Sequence, residues 1–190
     1  YCVGKGPSAT TVEAPMTAIT AGETVVIQGS VTDIAAGTKK PEQAARFPNG
    51  VPAVSDASMS AWMEYVYMQK PIPTNVKGVD VILTVIDPNN NVYDIGNVTS
   101  DSSGTFGYTW KPLVPGQYTV IATFAGSESY WPSYAQTYIT VSEAPPATPP
   151  PAQPQAAPDT TLTIIGTGIA IIIAVAIVGI MIVRLLRKRP

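Results

Sequence analysis

The stretch GVDVILTVIDPNNNVYDIGNV, residues 78–98, decides the fold class of this chain. In its first half the apolar side chains alternate along the chain, which is the period of a β-strand with one buried face. Residues 87–91, Asp-Pro-Asn-Asn-Asn, then combine a proline with side chains that favour turns. Because residues 92–98 resume the strand pattern, the stretch predicts two strands joined by a tight turn.

The same alternation recurs on both sides of this stretch, with turn-forming residues at nearly every junction. We predict seven strands, at residues 10–14, 24–33, 78–87, 92–98, 105–110, 117–125 and 135–142. Seven short strands separated by turn signals are typical of an immunoglobulin-like (Ig-like) β-sandwich. We therefore expect a mainly β chain in which residues 9–143 form such a sandwich.

Tyr118 follows a Pro-Gly pair at the start of the sixth predicted strand. A tyrosine at this place in an Ig-like domain buries its ring and hydrogen-bonds the preceding loop, an arrangement called the tyrosine corner. The alternative is that Tyr118 is an ordinary core aromatic. Val120 stands where antibody domains have their second cysteine, so we expect packing rather than a disulfide to hold the sandwich together.

A long insertion, residues 34–77, interrupts the strand pattern, and we expect a helix from Asp56 to about Gln69 within it. The apolar positions with helical spacing are Met59, Trp62, Met63 and Val66. They form either a surface for a partner or a stripe that packs on the chain itself or on a neighbouring domain. Because the insertion is too apolar to stay loose in water, we expect Trp62 to be buried and Glu64 to face solvent.

An uncharged run, LTIIGTGIAIIIAVAIVGIMIV, occupies residues 162–183. As a helix it would be about 33 Å long, enough to cross a hydrocarbon core of about 30 Å. The basic residues that follow are Arg184, Arg187, Lys188 and Arg189. Because Lys and Arg mark the cytoplasmic flank, we predict a single-pass membrane protein with a cytoplasmic tail, residues 184–190, and an extracellular N-terminal part.

Residues 144–161 are rich in proline, with seven prolines and no charge among the 15 residues 144–158. Such a composition favours polyproline II, so we predict a semi-rigid stalk; the alternative is a ligand for proline-reading domains. Residues 1–8 are interpreted as the end of a preceding domain or a linker. Since the chain starts without Met or a signal sequence, we expect it to be the C-terminal piece of a longer precursor or a processed product.

Composition restricts the chemistry that this chain can perform. There is no histidine and only one cysteine, Cys2, which leaves no intrachain disulfide and no cysteine-based metal site. No catalytic motif is present, so we expect no enzyme, no cofactor and no metal. Before the membrane segment the net charge is 7 − 13 = −6, which gives no reason to expect nucleic-acid binding. Asn97-Val98-Thr99 is a candidate glycosylation sequon at Asn97.

Four segments together resemble the C-terminal region of archaeal cell-surface proteins with a PQQ-binding-like β-propeller. They are PGQYTV (115–120), AGSESYWPS (125–133), AARFPNGVPAVSD (44–56) and WMEYVY (62–67). In that family a propeller precedes an Ig-like domain, a Pro-rich stalk and one membrane helix. The opening YCVGKGPS, residues 1–8, resembles the last strand and exit of such a propeller. The resemblance implies this architecture and carries over no cofactor site.

The expected function is a non-enzymatic, membrane-anchored extracellular Ig-like module that holds a larger ectodomain at the cell surface. One alternative is an adhesion or ligand-binding module that uses the insertion at 34–77. A second alternative is the anchor portion of a quinoprotein-like dehydrogenase whose propeller lies upstream. The expected partners are the lipid bilayer, the upstream domain of the same precursor and other surface proteins.

Overall fold

The structure is a computed structural model that describes residues 4–146 and 161–187. Its described residues form nine strands: β1 (Ser8–Glu13), β2 (Ile19–Thr20), β3 (Val25–Asp33), β4 (Val51–Pro52), β5 (Asp80–Ile86), β6 (Val92–Thr99), β7 (Thr105–Trp110), β8 (Gly116–Phe124) and β9 (Ser133–Ser142). Two compact units divide at residues 145 and 146, and all nine strands lie in the first.

The strands of the first unit build two sheets. In the first sheet β3 pairs antiparallel with β1 on one side and with β7 and the short β4 on the other. The second sheet has the order β2-β9-β8-β5-β6, and its pairs are antiparallel except for β2 with β9. The prediction of a mainly β chain is thereby confirmed.

One apolar core lies between the two sheets. Val81, Leu83 and Val85 alternate inward along β5, and Val120 and Phe124 do so along β8, the neighbouring strand of the same sheet. Burying an aliphatic or aromatic side chain of this size contributes about 1.5–3 kcal/mol, so this alternation accounts for much of the stability of the unit. The first sheet contributes buried side chains from β1, β3 and β7: Val12, Val25, Ile27, Val31 and Phe106.

The insertion folds into a 3₁₀ helix (Ala36–Lys39), α1 (Pro41–Arg46), β4 and α2 (Asp56–Met68). It has its own small core of Val51, Val54, Trp62 and Val66. Side chains from α1 satisfy the C-terminal end of α2: the Val66 carbonyl oxygen accepts hydrogen bonds from Gln43 Nε2 (2.8 Å) and Arg46 Nη1 (2.9 Å). Because the last carbonyls of a helix lack partners within it, these contacts fix where α2 ends.

The second unit contains α3 (Thr161–Leu186). Within the described part of the chain it holds the one segment, Ile164–Arg184, that is long and apolar enough to cross a membrane. Its apolar side chains are exposed rather than packed in a core, which fits a candidate membrane anchor. Of the predicted basic border, Arg184 lies in the last turn of α3 and Arg187 follows it. Cys2, Lys188, Arg189 and most of the predicted stalk (147–160) lie outside the described residues.

Candidate ligand-binding cleft

A cleft of about 630 Å³ opens where α2 meets one end of the β-sandwich. Three parts of the chain form it: α2, the segment that follows β3, and the loop between β8 and β9. The glycines Gly4 and Gly6, which precede β1, complete the wall. This volume lies within the range of small-molecule pockets.

Asp33 is the buried charged group of the cleft. It is the last residue of β3, is only 6% exposed, and lines the cavity. Its Oδ1 accepts a hydrogen bond from the Ala35 backbone N–H (2.8 Å), and its Oδ2 accepts one from the Tyr130 hydroxyl (3.3 Å). These two bonds orient the carboxylate, yet both donors are neutral. Among the described residues no Lys or Arg forms an ion pair with Asp33.

Tyr130, whose hydroxyl donates to Asp33, is 1% exposed. Its position depends on Gly6, whose N–H donates to the Ser129 carbonyl and whose own carbonyl accepts from Trp131 N–H, both at 2.8 Å. Gly126 makes the loop's sharp turn at φ 88°, where a Cβ would come within 3.0 Å of the Pro132 nitrogen. A residue other than glycine there would be strained and crowded, so the loop conformation that presents Tyr130 requires this glycine.

Asp56 ties the same loop to the start of α2. Its carboxylate accepts hydrogen bonds from Ser127 Oγ (2.9 Å) and from the backbone N–H groups of Glu128 and Ser129 (both 3.0 Å). Asp56 is also the first residue of α2, where a negative charge is favoured by the helix dipole. The cleft is therefore bounded by two elements that are joined directly, so it exists before any ligand arrives.

The walls of the cleft are apolar and polarisable. Met59, Met63 and Tyr67 come from one face of α2, at the spacing that places side chains above one another on a helix. Gly37 lies under the Tyr67 ring, where a Cβ would come within 3.0 Å of the hydroxyl oxygen. The absence of a side chain at residue 37 therefore allows Tyr67 to lie against the backbone after β3.

Both ionisable groups at the floor of the cleft have shifted pKa values. Burial raises the pKa of Asp33, and the hydrogen bonds from Ala35 and Tyr130 offset only part of that rise. Burial also raises the pKa of the Tyr130 hydroxyl, and the nearby Asp33 charge raises it further. Desolvation that is not balanced by an opposite charge is the shared cause. Tyr130 therefore remains a proton donor at neutral pH.

The four residues of the predicted partner surface lie in two different environments. Trp62 is 2% exposed and Val66 is 1% exposed, so neither is available to a partner in this fold. Their neighbours on the stripe, Met59 and Met63, are half-buried and line the cleft. The expected burial of Trp62 and exposure of Glu64 are confirmed, and the stripe divides between the insertion's core and the cleft.

Two other predicted residues lie away from the cleft. The Tyr118 hydroxyl donates to the Val114 carbonyl oxygen (3.0 Å) and accepts from the Val114 N–H (3.2 Å), so the predicted bond to the preceding loop is present. Asn97 is exposed on β6, which lies at the edge of its sheet. Glycosylation of Asn97 stays a prediction.

Asp33 and Tyr130 were missed as site residues because no local pattern marks them. Asp33 appears in the sequence as one of several isolated carboxylates at strand ends, and Tyr130 lies 97 positions further along the chain. The one sequence feature that marks Asp33 is its position as an acidic residue directly after the alternating apolar residues of β3. That signal is shared by ordinary turns, such as the one at Asp87, whose carboxylate accepts from Asn89 and Asn91 N–H.

Other surfaces offer less chemistry than the cleft. A larger trough of about 760 Å³ runs over the outer side of β1, β3 and β7, and the acidic groups that line it, Glu13 and Asp101, are both exposed. The Asp101 carboxylate is already used within its own turn by Ser103 and Thr105. Within residues 4–146 and 161–187, no cluster of three metal-ligating side chains occurs.

No protein-family model matches the chain, and no curated protein matches it. Two solved structures of superoxide reductase (neelaredoxin) from Ignicoccus hospitalis are similar in fold, one of them titled T24K. The T24K structure is 13% identical, with a TM-score of 0.42, over 70% of this chain and 79% of that one. The other is 14% identical, with a TM-score of 0.41, over 70% of this chain and 80% of that one.

These neighbours correct the function expected from the sequence. The chain was expected to be a non-enzymatic Ig-like anchor that holds a larger ectodomain, and not an enzyme. The solved structures that it resembles are named as enzymes, so that expectation does not fit the comparison and is withdrawn. At these TM-scores and identities the likeness assigns no activity or substrate to this chain.

Proposed function

We propose that the β-sheet unit is a ligand-binding module that takes a small organic molecule into the cleft between α2 and the β8–β9 loop. The observation that carries this proposal is the buried Asp33 carboxylate on the cleft floor, hydrogen-bonded by Tyr130 and facing a cavity with apolar walls. A mostly apolar pocket with a few converging polar groups is the usual form of a small-molecule site.

The cleft is also built to keep its shape. The three hydrogen bonds of Asp56 hold the loop against α2, and the small core around Trp62 holds α2 against β4. A preformed site loses less conformational freedom on binding than a mobile one, which favours affinity for a small ligand.

The placement of this module in the cell is part of the proposal. The apolar α3 and the basic residues after it support a single-pass protein with an extracellular N-terminal part and a cytoplasmic tail. The two sheets and the Tyr118 bond support the Ig-like type, and composition supports a Pro-rich stalk between the units. The four segments that resemble archaeal cell-surface proteins support an upstream propeller domain and other surface proteins as partners, beside the lipid bilayer.

Methionine methyl groups offer a direct test of the cleft. The full chain, in detergent micelles with isotope-labelled methionine methyls, is titrated with a chemically diverse set of small molecules and followed by NMR. Met59 and Met63 line the cleft, whereas Met16 is fully exposed and Met181 lies in α3. We expect some compounds to shift the Met59 and Met63 signals in a saturable manner and to leave Met16 and Met181 unchanged. If no compound does so, the cleft is not a ligand site.

A further inference from the structure

We propose that the ligand of this cleft is an organic cation, a quaternary or protonated amine, whose charge is met by the Asp33 carboxylate. This inference rests on the proposed function and adds the chemical class of the ligand. It follows from the sign of the charges that line the cavity, from the burial of Asp33 and from the nature of the walls.

The charged groups that line the cleft are both acidic. Asp33 lies on the floor and is nearly inaccessible to water, and Glu128 is exposed on the β8–β9 loop. Among the described residues that line the cavity there is no Lys or Arg. A ligand that carries positive charge therefore finds only complementary charge, while an anion meets two carboxylates.

Asp33 is a buried charge without a counter-ion among the described residues. Buried carboxylates in proteins are normally paired with a cation or bound to a metal, because neutral hydrogen bonds alone do not replace lost hydration. The basic residue of the segment before β1, Lys5, is engaged elsewhere: its ammonium lies 5.7 Å from the centroid of the Trp131 ring. The raised pKa of Asp33 is consistent with this missing partner.

The walls favour an organic cation over a metal ion. Hard metal ions need several oxygen ligands around one point, whereas the Asp33 carboxylate stands among methionines and tyrosines. Tyr67 and Tyr130 are among the lining residues, and aromatic rings attract cations. The thioethers of Met59 and Met63 are polarisable and adapt to an alkyl surface. Such walls complement a positive centre that is surrounded by methyl or methylene groups.

The test compares three probes of the same shape that differ in charge. Choline is the cation, the alcohol in which a tert-butyl group replaces the trimethylammonium group is its neutral isostere, and the carboxylate with the same tert-butyl group is the anion. Each is titrated into the full chain in micelles, with the Met59 and Met63 methyl signals as the readout. Calcium chloride is titrated in the same way.

We expect choline to bind at least about tenfold more tightly than its neutral isostere, because one charge interaction in a poorly solvated site exceeds that ratio. The anion and calcium should leave the Met59 and Met63 signals unchanged. In the Asp33→Asn variant the preference for choline over the isostere should disappear. The control is Glu64→Gln, which removes an exposed carboxylate from α2, the helix that carries Met59 and Met63. Because Glu64 does not line the cleft, this variant should keep the preference for choline.

Equal affinity for choline and its isostere, or preference for the anion or for calcium, overturns the inference. If neutral compounds still shift Met59 and Met63 selectively in that case, the ligand-binding function stands and only the ligand class is wrong. If no probe or compound shifts them, both proposals fail. The charge series on the unaltered chain decides the question even if Asp33→Asn does not fold.

Discussion

The change Trp62→Ala tests whether the insertion is a folded part of the module. Trp62 is 2% exposed, packs in the cluster with Val51, Val54 and Val66, and meets the rings of Phe47 and Tyr65 at centroid distances of 5.8 and 5.4 Å. Truncating a buried aromatic side chain to alanine costs about 3–5 kcal/mol. Because two aromatic contacts are lost together with the burial, we expect a value near the middle of that range, about 4 kcal/mol.

Urea unfolding of the full chain in micelles, followed by the far-UV circular dichroism of the sheets, measures this loss. With a denaturant slope of about 2 kcal/mol per molar urea, the loss of about 4 kcal/mol lowers the midpoint by about 2 M. The matched control is Trp131→Ala, because Trp131 is 57% exposed. Its midpoint should move by no more than about 0.25 M, since substitutions at exposed sites usually change stability by at most about 0.5 kcal/mol.

A third variant separates packing from polarity at the same site. The Trp62 indole Nε1 is buried without a hydrogen-bond partner, so Trp62→Phe keeps much of the ring and removes an unsatisfied donor. We expect Trp62→Phe to cost less than half of the alanine value. If Trp62→Ala unfolds with the midpoint of the parent chain, α2 is not held in place by this packing and does not form a fixed wall of the cleft.

Three further predictions use other residues. Tyr118→Phe should lower the stability of the unit by about 1 kcal/mol, because the hydroxyl bonds to the loop before β8 are lost; equal urea midpoints would contradict this. Asp56 and Asp33 should make opposite contributions to the pH dependence of the stability of the fold. Partial burial raises the pKa of Asp56, but its hydrogen bonds outweigh that and lower it below 3.8, so Asp56 stabilises the fold above that pH and this contribution is lost as pH falls further. Burial raises the pKa of Asp33, so its contribution to stability increases as pH falls through that raised pKa. Urea midpoints of Asp33→Asn and Asp56→Asn, measured from about pH 3 to pH 7, should therefore deviate from those of the parent chain with opposite signs. For topology, a membrane-impermeant maleimide applied to intact cells that export a Cys2→Ser chain should label a cysteine placed at the fully exposed Met16 and should not label one appended after Pro190. The reverse labelling pattern would show the opposite orientation.

The strands were predictable because each is long enough to show its period. The alternation of Val79, Val81, Leu83 and Val85 gives one strand of the core, and the corresponding side chains are buried in the structure. The helix expected from Asp56 to about Gln69 is found at Asp56–Met68, since its apolar spacing is also periodic. The two-residue strands β2 and β4 carry no period, because they exist only through pairing with β9 and β3.

The cleft could not be predicted because it depends on distant contacts. Its walls come from α2, from the end of β3 and from the β8–β9 loop, which the fold alone brings together. Asp56 was expected to help start a helix, and its bonds to the loop at Ser127–Ser129 cannot be inferred from a helix signal. The division of the α2 stripe, with Trp62 inward and Met63 toward the cleft, likewise follows from how the helix is rotated on the sandwich.

Linkage between ligand and stability tests the central claim, that Asp33 makes this cleft a cation site, most directly. A ligand that binds only the folded state stabilises it by about 2.7 kcal/mol at a hundred times its dissociation constant. We expect choline at a hundred times its dissociation constant to raise the urea midpoint of the unaltered chain by about 1.4 M. The same choline concentration should raise the midpoint of Asp33→Asn, which binds choline at least about tenfold more weakly, by no more than about 0.7 M. A rise of the same size in both proteins, or in neither, would contradict the account.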